Sequence, residues 1–430
     1  MAVLRHGRRA ALIAGALVWS LGCRGEKDDR FASVEKKGPY DKVVAENIPA
    51  IEKATGLTFK RFPVVKATTA ADMRAFAEKE LTEEPTATQL RGQGAAYRAL
   101  GLLPDTLDFS EFLLDLLEEQ IVGLYDPATK VLYVRRDSLS EKNPAVTNLT
   151  IIHELIHALQ DQYIDLDSIR TLLGDNDRAG ALKSVIEGQS MYETIVTVGG
   201  ASNVAARLRW DAVREQIRDQ FTSTPMLAAA PMIVQETLIF PYLSGAEFAK
   251  RFKDKEPTKS LLQDLPSSTE QIIHAEAYFG KPRDEPVVIT LPSLRKGAKV
   301  YENNLGEFET RLFLYQHLKD QEAAIRGAAG WDGDRYVLVR TPQGDGIAWV
   351  SVWDSAVDGG EFADLMERLI RKRYSASLPR VEGDTKHYVG GGRSLVITVR
   401  EIGSRPAVIY VDMPTGASTD VLDLSAIRVR

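Results

Sequence analysis

Residues 150–161 read TIIHELIHALQD, and this stretch carries the strongest signal in the chain. Positions 151, 152, 155, 156 and 159 are aliphatic and recur with helical spacing, which predicts a buried helix. Asn143 suits the N-cap and Pro144 suits the first helical position. The helix is therefore expected to begin there and to run to about Tyr163.

His153 and His157 are four residues apart and so lie on one face of this helix, where two imidazoles can reach one metal ion. The alternative is an ordinary helix with two core histidines. Two histidines and Glu154 in an apolar stripe would cost several kcal/mol in desolvation unless something pairs with them. A metal is the simplest partner, and Glu154 can then accept a proton from water at the ion.

A third metal ligand has to come from another part of the chain. Asp161 shares the histidine face, but three ligands in a row on one helix span about 12 Å and cannot meet at one ion. Asp161 is therefore expected to support the ligands or to face solvent. A carboxylate on a following helix is needed, and Glu187 in VIEGQSMYE is the best candidate. Glu193 on the same predicted helix is the competing ligand.

Six motifs, taken together and in order, resemble a poorly characterised group of bacterial and archaeal zinc proteases of the gluzincin type. They are VGLYDPATKVLYV (122–134), HELIHALQDQY (153–163), VIEGQSMYE (185–193), IFPYLSGAEF (239–248), SSTEQIIHAEAYF (267–279) and AAGWDGDRYVLV (328–339). The resemblance implies one Zn²⁺ per chain, held by His153, His157 and Glu187, with Glu154 as general base. It also implies that Gly188 is the small residue that such enzymes place beside the glutamate ligand.

Enzymes of this type also use a hydrogen-bond donor opposite the metal to stabilise the oxyanion of the tetrahedral intermediate. His274 and Tyr278 are the two candidates, and the choice between them stays open. A histidine that makes a loop hydrogen bond is the alternative for His274. Tyr242 is a weaker candidate for the oxyanion donor and is expected to belong to the core. The predicted hairpin of residues 120–125 and 130–136 is a candidate edge for an extended substrate, or else an ordinary hairpin.

The N-terminus has the pattern of an export signal. Three arginines precede the apolar stretch AALIAGALVWSL (10–21), and Cys23, the only cysteine, follows Gly22. This resembles a bacterial lipoprotein signal with Cys23 as the lipidated residue. Alternatives are a cleaved soluble signal and an uncleaved anchor. The expected location is the cell envelope, with the protein attached to the membrane through the lipid and facing the periplasm or the exterior.

The 408 residues after the predicted signal peptide are long enough for two packed cores, and their mixed signals predict an α+β fold. Their local patterns predict, in order, a strand over 57–67, a helix capped by Thr68 or Thr69, a helix break at IFPYLSG (239–245), a strand in PVVITL (286–291) and, after a helix over 360–373, three strands that end near Val411. We expect a signal peptide over 1–22, a tether over 23–39, a zincin-like catalytic domain over 40–285 and a smaller α+β accessory domain over 286–430. The net charge is −6 and the basic residues are dispersed, which argues against nucleic acid as a partner.

The predicted activity is hydrolysis of peptide bonds in a protein or peptide substrate. The alternative is a non-catalytic envelope lipoprotein that uses a zincin fold as a binding module. The presence of Glu154 favours the enzyme, because a binding role gives no reason to keep a general base.

Overall fold

The computed structural model describes residues 29–31, 38, 40–136, 144–170, 172–199 and 210–430. Its elements confirm a mixed α and β fold. The predicted signal peptide, Cys23 and most of the tether lie outside the described residues. Among those described, no helix combines the length and the apolar character needed to cross a membrane.

A group of helices and a small sheet form the first part of the fold. The elements are α1 (Asp41–Thr55), β1 (Val64–Thr68), α2 (Ala70–Thr82), α3 (Glu84–Leu100), α4 (Phe109–Gln120), β2 (Gly123–Asp126) and β3 (Val131–Arg135). The strand order is β1-β3-β2, with β1 parallel and β2 antiparallel to β3. The predicted hairpin is thus confirmed, whereas the strand predicted over 57–67 is reduced to β1. Thr69 caps α2 in a capping box with Asp72, as the predicted cap requires.

Among the residues described between 144 and 255, six helices follow. They are α5 (Pro144–Gln160), α6 (Leu166–Arg170), α7 (Asn176–Val198), α8 (Trp210–Thr222), α9 (Pro225–Ala229) and α10 (Met232–Lys255). α5 contains Pro144, the predicted first helical residue, and the expected N-cap Asn143 lies outside the described residues. The predicted break at IFPYLSG is wrong, because α10 continues through Pro241. Ile239 and Leu243 are buried on either side of the proline, and this packing outweighs the lost hydrogen bond.

The last part of the fold is a seven-stranded antiparallel sheet with the order β5-β6-β7-β11-β10-β9-β8. After α11 (Thr269–Ile273) and α12 (Ala275–Phe279), the elements are β4 (Ile289–Thr290), β5 (Ala298–Asn303), α13 (Gly306–Leu318), α14 (Gln321–Ala328), β6 (Trp331–Thr341), β7 (Gly344–Trp353), α15 (Ala356–Tyr374), β8 (Arg380–Glu382), β9 (Thr385–Gly390), β10 (Arg393–Ile402), β11 (Arg405–Pro414) and β12 (Arg428–Val429). The sequence predicted three strands after α15, and five are present, four of which lie before residue 415. β5 was not predicted, and the strand expected in PVVITL is only the two residues of β4, paired with β12.

One hydrophobic core extends across the predicted domain boundary at residue 285. It includes Leu155 of the histidine helix and Trp349 of the sheet. The rings of Phe240 and Phe308 stack with centroids 3.8 Å apart, one residue from each side of that boundary. A second, smaller core covers the opposite face of the sheet around Val350 and Ile409. The sheet therefore packs one face against the helices that carry the candidate site.

The described part of the predicted tether touches the folded part. Asp29–Phe31 form a short 3₁₀ turn. Arg30 pairs with Glu52 at 2.7 Å, and the ring of Phe31 lies 5.5 Å from that of Phe62. The sequence offered few apolar residues for such a contact, and Phe31 is one of them.

Candidate metal centre

The histidine helix α5 and the glutamate helix α7 pack side by side, and this pairing builds the site. The aliphatic residues of α5 that were predicted to be buried are buried, including Ile152 and Leu155. The hydroxyl of Ser190 on α7 donates a hydrogen bond to the backbone oxygen of His153 at 2.8 Å. This contact fixes the two helices beside the first histidine.

Three donor atoms converge between these helices. Glu187 Oε2 lies 3.4 Å from His153 Nε2 and 3.4 Å from His157 Nε2. The two Nε2 atoms are 3.2 Å apart. Donors about 2.0 to 2.1 Å from a tetrahedral zinc ion stand roughly 3.3 to 3.4 Å from one another. The three atoms therefore have the spacing of one face of such a tetrahedron.

Neighbouring amides orient His157. The Nε2 amide of Gln160 donates to Ile186 O and to Gln189 Oε1, both at 3.0 Å. Gln160 Oε1 therefore faces His157 Nδ1, at 2.8 Å, and accepts its proton. This tautomer leaves the lone pair of His157 on Nε2, where a metal would be bound.

The ionisation of Glu187 and His157 is coupled through their contact, and a metal cation would take the place of the proton that Glu187 stabilises on His157. Burial raises the pKa of Glu187, but the adjacent His157 and His153 outweigh it and hold that pKa well below its usual value. Burial likewise opposes ionisation of His157, but the carboxylate of Glu187 raises the pKa of His157 to about 9. Glu187 Oε2 is buried and makes no hydrogen bond within the described residues. An oxygen of this kind, beside two imidazole nitrogens, fits a zinc ion by position and by chemistry.

The side chains of this centre keep limited contact with solvent. The exposed fraction is 17% for His153, 19% for Glu187 and 10% for His157. The site is therefore mostly desolvated but open on one side, which a site that binds a substrate requires.

Glu154 lies between the histidine helix and the edge strand β2. Its Oε2 accepts a hydrogen bond from the backbone N–H of Tyr125 at 2.9 Å, and the residue is 8% exposed. Gly123 makes this approach possible, since a Cβ there would stand 2.9 Å from Thr150 Cγ2 and 3.1 Å from Glu154 Cγ. The free edge of the three-stranded sheet is thus brought to the carboxylate.

The competing ligand Glu193 is not part of the group. The donor atoms that lie within 4.8 Å of one another belong to His153, His157 and Glu187. Glu193 is 3% exposed, and its burial raises its pKa to about 8 although Lys253 acts in the opposite direction. Its carboxyl group is buried away from the two histidines.

Asp161 is buried and holds the hairpin, which differs from both expected roles, support of the metal ligands and contact with solvent. Its carboxylate accepts hydrogen bonds from the hydroxyl of Tyr125 at 2.8 Å and from Leu166 N at 3.2 Å. Lys130 Nζ lies 2.9 Å from Asp161 Oδ2. The carboxylate ties the first strand and the turn of the hairpin to the end of the histidine helix.

Tyr242, which was expected in the core, lies at the metal centre. Its ring stacks on that of His153 with centroids 6.3 Å apart. Burial, the negative charge of Glu187 and a hydrogen bond with that carboxylate raise the pKa of Tyr242 well above its usual value. In the sequence, Tyr242 stands one turn before Gly245, and this small residue could have indicated a close contact between helices. Gly245 does contact α7.

The two predicted oxyanion donors have other partners. His274 Nε2 lies 2.9 Å from Glu307 Oε1, and His274 lines a separate pocket together with Glu270 and Asp284. The hydroxyl of Tyr278 donates to the backbone oxygen of Asp264 at 2.5 Å. Neither residue belongs to the group formed by His153, His157 and Glu187. The alternative for His274 was a hydrogen bond within a loop, and the structure shows instead a contact with the side chain of Glu307.

Comparison with known families matches residues 294–422 to a family described as a domain of unknown function (DUF8575). The matched range lies within the predicted accessory region 286–430 and contains the seven-stranded sheet. No curated protein and no solved structure matches the chain.

Proposed function

We propose that this protein is a zinc-dependent peptidase whose metal is held by His153, His157 and Glu187. The observation that supports it most is the triangle of donor atoms, with sides of 3.2, 3.4 and 3.4 Å. We include in the proposal a zincin-like catalytic region over 40–285, with the sheet region after it as an accessory part. When bound, zinc supplies Lewis acidity, which polarises a carbonyl group and makes water acidic near neutral pH.

Glu154 is the general base and then the general acid. Its carboxylate takes the proton of the attacking water and delivers it to the nitrogen of the leaving amine. The hydrogen bond from Tyr125 N holds one carboxylate oxygen, Oε2, and leaves Oε1 available for the proton. Tyr242 is the donor for the oxyanion, since its phenol is protonated at neutral pH and its ring stacks on that of His153.

The substrate is a protein or peptide in extended conformation. β2 forms an outer strand of its sheet, beside Glu154. Main-chain pairing at such an edge binds a peptide without strong selection for its side chains. Because Tyr125 N already donates to Glu154, the pairing would use the other outward-facing backbone groups of this strand or require Glu154 to release that N–H.

The test is Glu154→Gln in the zinc-loaded protein, with casein as substrate. The amide oxygen can still accept the hydrogen bond from Tyr125 N, so the fold and zinc content should be retained. It cannot accept the proton of water, so cleavage should fall by at least about 100-fold. Glu361→Gln, on the exposed side of α15, is the matched control and should cleave as wild type does. A wild-type protein that holds zinc and cleaves nothing in a broad peptide library would instead favour a binding module.

We further propose a lipid anchor at Cys23, which rests on the N-terminal sequence. Cys23→Ser should release the protein from membranes into the soluble fraction, while zinc content and activity stay near wild type. Cell fractionation together with N-terminal sequencing tests this. A Cys23→Ser protein that stays in the membrane with an unprocessed N-terminus would show that residues 10–21 act as an uncleaved anchor.

A further inference from the structure

A second group of carboxylates lies at the junction between the helices and the sheet. It lines a pocket of about 530 Å³ whose walls come from α11, α12, the loop after α12 and the turns that flank β6 and β7. None of the metal-centre residues lines this pocket. The pocket is therefore a separate feature of the molecule.

Carboxylate oxygens of Glu270, Asp284 and Asp354 lie within 4.8 Å of one another in this pocket. The three residues come from different segments, and backbone hydrogen bonds fix two of them. Asp284 N donates to Ala277 O at 3.0 Å, and Asp354 N donates to Gly330 O at 2.9 Å. The convergence of the three carboxylates therefore follows from the fold and not from adjacency in the sequence.

Glu270 gives independent support for a ligand. It is only 5% exposed, and its carboxylate has no hydrogen-bond or ion-pair partner among the residues that the structure describes. One carboxylate oxygen of Glu270 lies in the pocket close to the carboxylates of Asp284 and Asp354. A buried carboxylate without a partner is costly, so a group that is not part of the chain is expected to bind it.

Three basic residues around the pocket are paired with acids other than Glu270, Asp284 and Asp354. Arg283 pairs with Asp264 at 2.9 Å, and His274 with Glu307 at 2.9 Å. Arg405 pairs with Asp332. Glu307 also has a buried oxygen, Oε2, that makes no hydrogen bond in the described part of the chain. Negative charge at the pocket thus exceeds the positive charge available to neutralise it.

Electrostatics agree with this geometry. Burial, and then repulsion from Glu307, Asp284 and Asp354, raises the pKa of Glu270 to about 10. Burial and the neighbouring acids raise the pKa of Asp354 to about 6, although Arg405 opposes them. A cation would remove this repulsion and let all the carboxylates ionise.

We propose that Glu270, Asp284 and Asp354 form a calcium site that joins the helices to the sheet. Calcium binds carboxylate oxygens at about 2.3 to 2.6 Å, so two of its ligands can be up to roughly 5 Å apart. Magnesium demands near-ideal octahedral geometry and keeps several of its waters, so it is usually bound by only one or two carboxylates. Three carboxylates in an open pocket leave room for the waters that complete calcium's larger shell.

The site connects structurally to the glutamate helix. Thr269, next to Glu270, donates its backbone N–H to Asp177 Oδ1 at 3.0 Å, and Asp177 is in the first turn of α7. Glu187 is on the same helix. Calcium at the junction would therefore stabilise the helix that carries the zinc ligand, but the calcium site does not depend on the proposed peptidase activity.

The test is a calcium titration of the zinc-loaded full chain, followed by calorimetry and thermal unfolding. Wild type should bind one calcium ion per chain, and its melting temperature should rise with calcium. Asp354→Asn should weaken calcium binding by at least about tenfold. Glu270→Gln should abolish the response to calcium and also melt at a higher temperature than wild type when calcium is absent, because it removes the unpaired buried carboxyl group.

Glu276→Gln is the matched control. Glu276 lines the same pocket, but its side chain is 83% exposed and it is not one of the three donors. Calcium affinity should stay within about twofold of wild type in this variant. The proposal would be overturned by wild type that binds no calcium, by an equal loss in Glu276→Gln and Asp354→Asn, or by a larger thermal shift with magnesium than with calcium.

Discussion

The backbones of Gly188 and Gly245 are in contact where α7 crosses α10. A Cβ added to Gly188 would stand 2.0 Å from the carbonyl carbon of Gly245, and one added to Gly245 would stand 2.1 Å from Ser184 O. Glu187 precedes the first glycine, and Tyr242 lies one turn before the second. The close crossing is therefore what brings the third ligand and the tyrosine to the histidine helix.

Gly188→Ala should destabilise the protein and disturb the metal centre, because a methyl group at this position forces the two backbones apart. We expect a loss of about 2 to 4 kcal/mol in the free energy of unfolding, together with weaker zinc binding. Denaturant unfolding and zinc analysis measure the two effects. Gly360→Ala in α15 is the matched control, because no atom lies within 4 Å of its added Cβ. That change should stabilise the protein by about 0.5 to 1 kcal/mol; equal losses in both variants would contradict the role given to the crossing.

Glu187→Ala should lose zinc about as completely as His157→Ala, because each removes one of three protein ligands. Metal analysis of the purified proteins measures the zinc content per chain. Glu193→Gln, on the same helix, should keep its zinc. Near-stoichiometric zinc in Glu187→Ala would show that the assignment is wrong and would make Glu193 the ligand to test next.

Tyr242→Phe should lower kcat by about 100-fold while zinc content stays unchanged, because the phenol hydrogen bond to the oxyanion is lost. Tyr278→Phe makes the same chemical change at a residue whose hydroxyl is bonded to Asp264 O. Its kcat should remain close to wild type. Steady-state kinetics on one peptide substrate would compare the two variants. A larger loss of kcat in Tyr278→Phe would restore Tyr278 as the oxyanion donor.

Glu193→Gln should stabilise the protein at alkaline pH and have little effect in acid. Burial raises the pKa of Glu193 from 4.5 to about 8, so the native state holds a proton that the unfolded state releases between these values. The wild type therefore loses stability as pH rises through this range, and the amide variant does not. We expect a gain on the order of 2 to 4 kcal/mol at pH about 8.5.

Glu302→Gln provides a control of opposite sign. Burial opposes ionisation of Glu302, but hydrogen bonds from Lys299 and Arg335 lower its pKa. Its contribution is present above its ordinary pKa and is lost as pH falls, so this variant should be destabilised at neutral pH. Unfolding curves for both variants across pH would test the pair. A gain from Glu193→Gln that does not depend on pH would contradict the proton linkage.

The sequence by itself determined what depends on local spacing. Histidines four apart on one helical face must lie close together, so the pairing of His153 and His157 followed once the helix was predicted. Local chemistry likewise predicted Pro144 as an early residue of α5 and a cap by Thr68 or Thr69 for α2, and the structure assigns the cap to Thr69. Glu187 was a reasoned choice between two glutamates on one helix.

Only the tertiary structure decided which residues from distant segments meet. The sequence predicted a break at Pro241, whereas packing keeps α10 continuous and carries Tyr242 to His153. The same holds for the contact of Tyr125 N with Glu154 and for the meeting of Glu270 with Asp354, 84 positions later in the sequence. A helical repeat places side chains a few residues apart, but contacts between elements depend on how whole surfaces pack, and that is set by burial over the entire core.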